Sequence, residues 1–468
     1  MTLLAPVERG QLETEALIRE ARRLRRRRWT IGALLVALLG AGVASGILVS
    51  GSGVGGRALL LRHVAGATRF TVVDAAELKG HGDLAFVSLG ALFLVDGATG
   101  KVVDLTGSDA EASDPQFSPN GEWLTYESDL GGQLWFARAD GRSARRLAQP
   151  GAATWLPDGD LVVDKPSTIS TYSVGAEGAL RQTASGEAPA AVQPGGAAVY
   201  VTVTDTMRVA PPRSSRGVEE LETATSPNGP QTLWYETPVS FTSTTGMHGN
   251  FVGNVTALPD HEGLLFTIDP DMGDSADGEQ LYELRAPGGR PQRLGVVLLP
   301  SATPSYGPNG TFALGAGGDR YAWASKHVEL CVAATARCGE LPTRSGVLSL
   351  SPAWSPDHRT LAFVEAIAEP EGAIGQTQIA EWYATHHLYL LTNASKRPSE
   401  VPDSEGAAAP IWSSNSASLM FVANDALFLI PRRGTTPVEV AGPLFTPGAW
   451  GGYYGELDWR SQFAWSAS

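Results

Sequence analysis

A short motif recurs along the chain and constrains the fold more than any other feature: an aromatic residue, a tight turn of the Ser-Pro-Asn-Gly type, then an apolar strand. The clearest copy spans 114–148. There Phe117 precedes Ser118, Pro119, Asn120 and Gly121, followed by strands predicted at 123–127 and 134–138, an Asp-Gly turn and a third strand ending at Leu147. Trp155 leads into Leu156, Pro157, Asp158 and Gly159 and a strand at 161–164; Tyr306 precedes Gly307, Pro308, Asn309 and Gly310; Trp354 precedes Ser355, Pro356, Asp357 and His358 and a strand at 360–365. Weaker copies lie at 192–196, at 258–260 and after Trp412. Proline at the second turn position presets φ, and the Asn or Asp and Gly that follow accept the reversal. One unit of roughly 35 to 55 residues cannot bury its own sheet, so copies must stack, and closing them into a ring hides both end faces. That ring is a β-propeller, an all-β fold. With 54 glycines and 31 prolines, the composition suits many short strands joined by tight turns.

These units resemble the PD40 or WD40-like repeats of TolB-type propellers, whose hallmark is an aromatic, Ser-Pro-Asp-Gly and a strand. Phe117–Gly121 and Trp354–Asp357 match closely, whereas His358 stands where glycine is expected and Ser414 where proline is expected. The resemblance covers 82–466 and implies a propeller without implying an activity. TolB proteins carry a separate α/β domain before the ring, and 51–80 is too short for one, so the Tol role is not carried over. Starting points near 82, 114, 151, 190, 254, 303, 351 and 409 predict eight blades, with seven as the alternative count. The stretch 190–250 reads as one blade with a loop insertion at 208–222, and the Ser-Pro-Asn-Gly at 226–229 offers a further start. The strand-like 462–465 is expected to complete the first blade and clasp the ring.

Charge divides the chain. The first 29 residues hold eight arginines and four glutamates, whereas the rest holds 27 basic and 45 acidic residues, a net of −18 within a total of −14. So acidic a body has no footprint for nucleic acid, which needs clustered Lys and Arg. Between the two regimes, 30–50 contain no ionisable residue, and about 20 apolar residues span a bilayer. Arg22, Arg23 and Arg25 to Arg28 precede this span, placing the N-terminus in the cytoplasm by the positive-inside bias. The predicted organisation is a basic cytoplasmic arm at 1–29, a transmembrane helix at 30–50, a juxtamembrane linker at 51–81 and an extracytoplasmic propeller at 82–468 in the cell membrane. A cleaved signal peptide is the alternative, although signal apolar regions are usually shorter and their basic arms short. Gly42 and Gly46 form a GxxxG that offers a face for dimerisation through the span.

Cys331 and Cys338 are expected to form a disulfide, since an even pair in an extracytoplasmic protein reads as one and the spacing suits a hairpin. No metal site or cofactor is implied. The acidic stretch 269–279 fails as an EF-hand loop, with Gly273, Asp274 and Gln280 at the fifth, sixth and twelfth positions. There is no G-x-S-x-G elbow and no room for a hydrolase domain. His386 and His387, beside Trp382 and Tyr383, are the first candidates for a channel metal, but adjacent strand residues face opposite ways. Trp155, Trp354 and Trp412 sit at the repeat position expected between blades. The expected function is a non-catalytic propeller that recognises a protein or peptide in the envelope, held by the anchor with its loop face close to the membrane and favouring a basic partner. The alternatives are a glycan or small-ligand binder and a lyase- or hydrolase-type propeller enzyme. Variable insertions at 208–222, 269–279 and 366–381 should share one rim if the ring binds protein.

Overall fold

In a computed structural model of the chain, the described residues run from 57 to 466 with breaks, the longest at 298–311, 368–380 and 445–458. Their strands assemble into an all-β propeller. Blade 1 joins Asp83–Ser88, Ala91–Val95 and Val102–Asp104 to the C-terminal strand Phe463–Ser466. Blade 2 is Ser113–Phe117, Trp123–Ser128, Gln133–Arg138 and Arg145–Ala148. Blade 3 is Ala152–Trp155, Leu161–Asp164, Thr168–Val174 and Leu180–Glu187. Blade 4 is Phe312–Leu314, Arg320–Ala324, Val328–Val332 and Arg337–Glu340. Blade 5 is Val347–Trp354, Thr360–Ile367, His387–Thr392 and Ser399–Glu400. Blade 6 is Ala408–Trp412, Leu419–Ala423, Ala426–Ile430 and Val438–Gly442. As expected, the C-terminal strand closes the ring: Phe86 pairs with Phe463 and Asp83 with Ser466.

Six regular blades replace the eight, or seven, expected from the repeats. Between blades 3 and 4 runs one eight-stranded sheet: Ala190–Gln193, Val199–Ala210, Ser214–Ala224, Thr232–Thr242, Gly246–Ala257, Leu264–Pro270, Glu279–Leu284 and Gln292–Val297. The cause is Gly246–Ala257. Its first residues pair back onto Val239–Thr242, its remainder pairs forward onto Leu264–Pro270, and the two units expected at 190 and 254 are thereby zipped together. The segment 208–222 is not a loop but part of a long hairpin, with Ala210 opposite Ser214. Gly229, in the Ser-Pro-Asn-Gly copy at 226–229, donates its N–H to Ser226 O in the turn between two of these long strands, so that copy starts no new blade.

A second correction concerns 51–81. Arg57–Val64 and Ala67–Asp74 form a hairpin whose second strand pairs with the last strand of blade 6, Val72 with Gly442 and Val73 with Ala441, making that sheet six-stranded. Val73, Ala75 and Leu78 enter the core between blades 6 and 1, beside Phe86, Phe93, Met420 and Leu429. From residue 57 this stretch belongs to the ring and is not a linker. The expected membrane span at 30–50 lies outside the described residues; among those described, no helix is long and apolar enough to cross a membrane.

The inner strands of a blade have both faces covered by its neighbours, which explains apolar runs such as Leu419–Ala423, buried at every residue, whereas outer strands such as Ser399–Glu400 are exposed. Facing blades meet through shared clusters, Ala85, Leu92, Leu124 and Tyr126 between blades 1 and 2, and Trp123, Phe136, Trp155 and Leu161 between blades 2 and 3. Because successive strands alternate in direction, first-to-second and third-to-fourth connections lie at one end of the ring, here termed the turn end. Second-to-third connections and blade crossovers lie at the other, the insertion end.

Candidate functional site

The turn end is built from one hydrogen-bond pattern used repeatedly. Ser118 N–H donates to Trp123 O at 2.8 Å, Trp123 N–H donates to Ser118 Oγ at 2.9 Å, and Ser118 Oγ–H donates to Asn120 Oδ1 at 2.7 Å. Ser355 repeats this with Thr360 and Asp357, and Ser413 repeats it with Ser418 and Asn415. The fourth turn residue is left-handed, at Gly121 (φ 72°) and Gly159 (φ 91°), but also at His358 (φ 56°) and Ser416 (φ 60°). The motif therefore survives the loss of its glycine at a cost in backbone strain. Pro119 and Asn120 are exposed, Pro356 is half-buried, and Asp357 is exposed with its N–H donating to Ser416 Oγ of blade 6 at 2.8 Å. Tyr306, Pro308, Gly310 and Pro157 lie outside the described residues.

The aromatics of the motif lie between blades. Trp155 Nε1–H donates to Gln116 O at 3.3 Å and Trp412 Nε1–H to Ala353 O at 3.0 Å. Both acceptors lie two residues before the turn serine of the preceding blade, so the wedge is also a repeated polar link. Phe117 packs in the cluster between blades 1 and 2, and Trp354 packs with Val328, Leu361 and Phe363 between blades 4 and 5. These are core positions.

The insertion end is where units differ from one another. The strands that flank the second-to-third connections at 211–213, 271–278 and 368–386 meet them at this end. The long hairpins also rise from it: strands of 11 or 12 residues between 199 and 257 exceed the blade strands by about six residues, or about 20 Å. Buried Asp269 is the last residue but one of Leu264–Pro270, Glu279 begins the next strand, and 271–278 lie outside the described residues.

The connection in blade 5 returns through a helical turn from residue 381 that is pinned to the ring. Trp382 Nε1–H donates to Ile367 O at 3.1 Å, and Gly406 N–H donates to His386 O at 2.9 Å. His386 is 3 % exposed. Its Nδ1 lies 3.2 Å from Ala407 O, an acceptor only, so Nδ1 carries the proton and Nε2 is left without a hydrogen-bond partner among the described residues. The imidazole packs against Trp382 and Tyr383, and Tyr383 meets Trp459 edge to face. Burial lowers its pKa to about 4, with the Ala407 hydrogen bond opposing and His387 adding to the shift. His387 turns elsewhere, its Nδ1 3.1 Å from Glu400 Oε1. The two histidines are thus not brought together, and among the described residues no group of three or more His, Cys, Asp or Glu is placed to hold a metal.

Cys331 and Cys338 form a disulfide in blade 4, directly opposite each other on adjacent strands with Cα atoms 4.0 Å apart. Cys331 is buried and Cys338 exposed. Sequence reasoning missed the height of the long hairpins; their alternation, as in Val-Tyr-Val-Thr-Val-Thr from residue 199, was the available signal.

No family model matches the chain, and no curated protein matches it. Solved structures do. A eukaryotic initiation factor is 12 % identical with a TM-score of 0.48, covering 79 % of this chain and 93 % of that one. TolB from Acinetobacter baumannii is 14 % identical with a TM-score of 0.29, covering 69 % and 64 %. The β-propeller domain of the Trilobed protease from Pyrococcus furiosus is 9 % identical with a TM-score of 0.37, covering 74 % and 94 %. At these values the likeness extends to fold alone, and the fold rests on the sheet topology above.

Proposed function

We propose that this chain is a membrane-tethered, extracytoplasmic β-propeller that recognises a polypeptide in the cell envelope without catalysing a reaction. The observation that supports the reading is that the long hairpins rise from one end of the ring, where the strands flanking 211–213, 271–278 and 368–380 also end. Arg57 pairs with Asp74, and Asp74 caps the short helix Ala75–Leu78. That helix leads to Gly80, whose N–H donates to Gly97 O in a turn-end connection of blade 1. Six residues separate Arg57 from the proposed span at 30–50, a reach of about 20 Å. Arg57 thus lies level with the middle of Val438–Gly442, within that reach of either end of the ring, and the insertion end is the face proposed to meet the partner. A rigid ring with variable loops on its free end suits recognition, because those loops change without disturbing the strands.

The test is proximity crosslinking on intact cells, with a photoreactive residue placed in 271–278 or at Asp158 in the turn end. A single polypeptide captured from 271–278 and not from position 158 supports the reading. Equal capture from both ends, turnover of an envelope substrate by the purified chain, or release of the full-length protein from membranes by carbonate overturns it.

A further inference from the structure

In four blades the aromatic of the inner strand lies opposite a leucine of the second strand: Phe117 pairs with Leu124, Trp354 with Leu361, Trp412 with Leu419 and Trp465 with Leu84. Three residues beyond that leucine, toward the insertion end, blades 1, 5 and 6 hold Val87, Val364 and Val422, which are 2 %, 1 % and 0 % exposed. Blade 2 holds Glu127 there, and blade 3 has Asp164 at the same register. A carboxylate where the other blades bury valine departs from the rule of its own repeat, and such departures concentrate at functional positions.

The surroundings of Glu127 give it no compensation. The residue is half-buried and makes no hydrogen bond or ion pair among the described residues. It shares a row with Ser113 and Leu134 on the face turned to blade 3. On that face Trp155 Nε1–H donates to Thr125 Oγ1 at 3.2 Å, and two residues nearer the insertion end on each strand Ala153 stands level with Glu127, too small to supply a donor. The described residues 110–116, 124–128, 132–137 and 152–155 contain no lysine or arginine. Glu111 is exposed next to Ala110, whose O accepts from Ser128 Oγ at 3.0 Å. Burial raises the Glu127 carboxyl pKa, with no neighbouring group to offset it. The carboxylate therefore weakens the blade that carries it, at the end of the ring proposed to meet the partner.

We infer that Glu127 is an anchor point for recognition, receiving a basic side chain of the partner polypeptide between blades 2 and 3. The inference deepens the recognition reading and rests on it. It converts a preference for a basic partner, which the whole-body charge alone suggests, into one residue at one place on the ring.

The test uses the full-length protein in zwitterionic lipid nanodiscs and fluorescent ten-residue Gly-Ser peptides carrying either three lysines or three Nε-acetyllysines. The lysine peptide is expected to bind about tenfold or more tightly than the acetylated one, and Glu127→Gln should lower its binding by about the same factor. The same variant should have a higher melting temperature than the parent, a gain that a purely structural carboxylate would not show. Glu122→Gln removes an equal charge from an exposed position at the turn end and should leave binding unchanged. Equal binding of the two peptides, unchanged binding in Glu127→Gln, an equal loss in Glu122→Gln, or a lower melting temperature in Glu127→Gln overturns the inference. Two further outcomes overturn it: displacement of the peptide by spermidine at comparable concentration, which assigns the carboxylate to a free amine, and a tenfold gain of binding in Lys165→Gln, which makes that lysine its partner. Cellular capture of a partner that persists in Glu127→Gln keeps the recognition reading and overturns this one.

Discussion

Gly159 and Gly178 both hold left-handed backbone, with φ of 91° and 77°, but their surroundings differ. A Cβ on Gly159 meets nothing within 4 Å, whereas one on Gly178 would lie 2.4 Å from the buried ring of Trp123. Gly159→Ala should cost about 1–2 kcal/mol through backbone strain. Gly178→Ala should cost about 1–3 kcal/mol more, because an indole wedged between blades cannot yield. Urea midpoints of the two variants check this, and equal costs would refute it. His386 makes a prediction in pH. Its pKa is near 6.5 in the unfolded chain and about 4 in the ring. The unfolded chain takes up the proton first as pH falls, so stability declines through that window, by an amount on the order of 3 kcal/mol once pH is below it. Comparing urea unfolding at pH 7.5 and near pH 4, the loss on acidification should be smaller by about that amount in His386→Phe. Glu127 runs the other way, since burial raises its pKa. Its neutral form is favoured in the fold, so Glu127→Gln should raise the melting temperature at pH 7 and change it little at pH 3.5.

At the scale of elements, the indole links between blades can be tested singly. Trp412→Phe keeps most of the wedge and removes the donor to Ala353 O, and should cost about 1–2 kcal/mol in chemical denaturation. A variant as stable as the parent would show that the link contributes nothing. The elements legible in the sequence were those that follow the turn motif. The strand at 161–164 was placed to the residue, and that at 360–365 extends only to Ile367. The reason is local: serine, proline and glycine specify the turn before any partner strand is present. The long strands were not legible because residues such as Asp205 and Arg208 interrupt the apolar pattern, and the turn motif at 226–229 offered a further blade start rather than a link between two of them. The hairpin at 57–74 was hidden likewise, since Arg62 and Arg69 make it read as a polar spacer although they are opposite in register.

At the scale of the whole molecule, closure depends on the last strand. Phe463 lies in the core between blades 6 and 1, and Trp465 Nε1–H donates to His81 O at 2.8 Å. Removing 463–468 takes away this strand and leaves the inner edge of Asp83–Ser88 bare. A loss of about 3–5 kcal/mol is expected from the phenylalanine alone, read as a lower and broader thermal transition. The positions of the insertions at 269–279 and 366–381 were legible, because they interrupt the repeat. The docking of the hairpin at 57–74 was not, because it depends on a blade strand some 370 residues later. That same closure sets an order for biogenesis. Blade 1 is the first blade made, yet it lacks its inner strand until residue 463 has left the ribosome and, in an exported chain, has crossed the membrane. Up to that moment its hydrogen-bonding edge is open to any passing strand. The ring is thus assembled from its ends inward in time, and its oldest blade is the last to be finished.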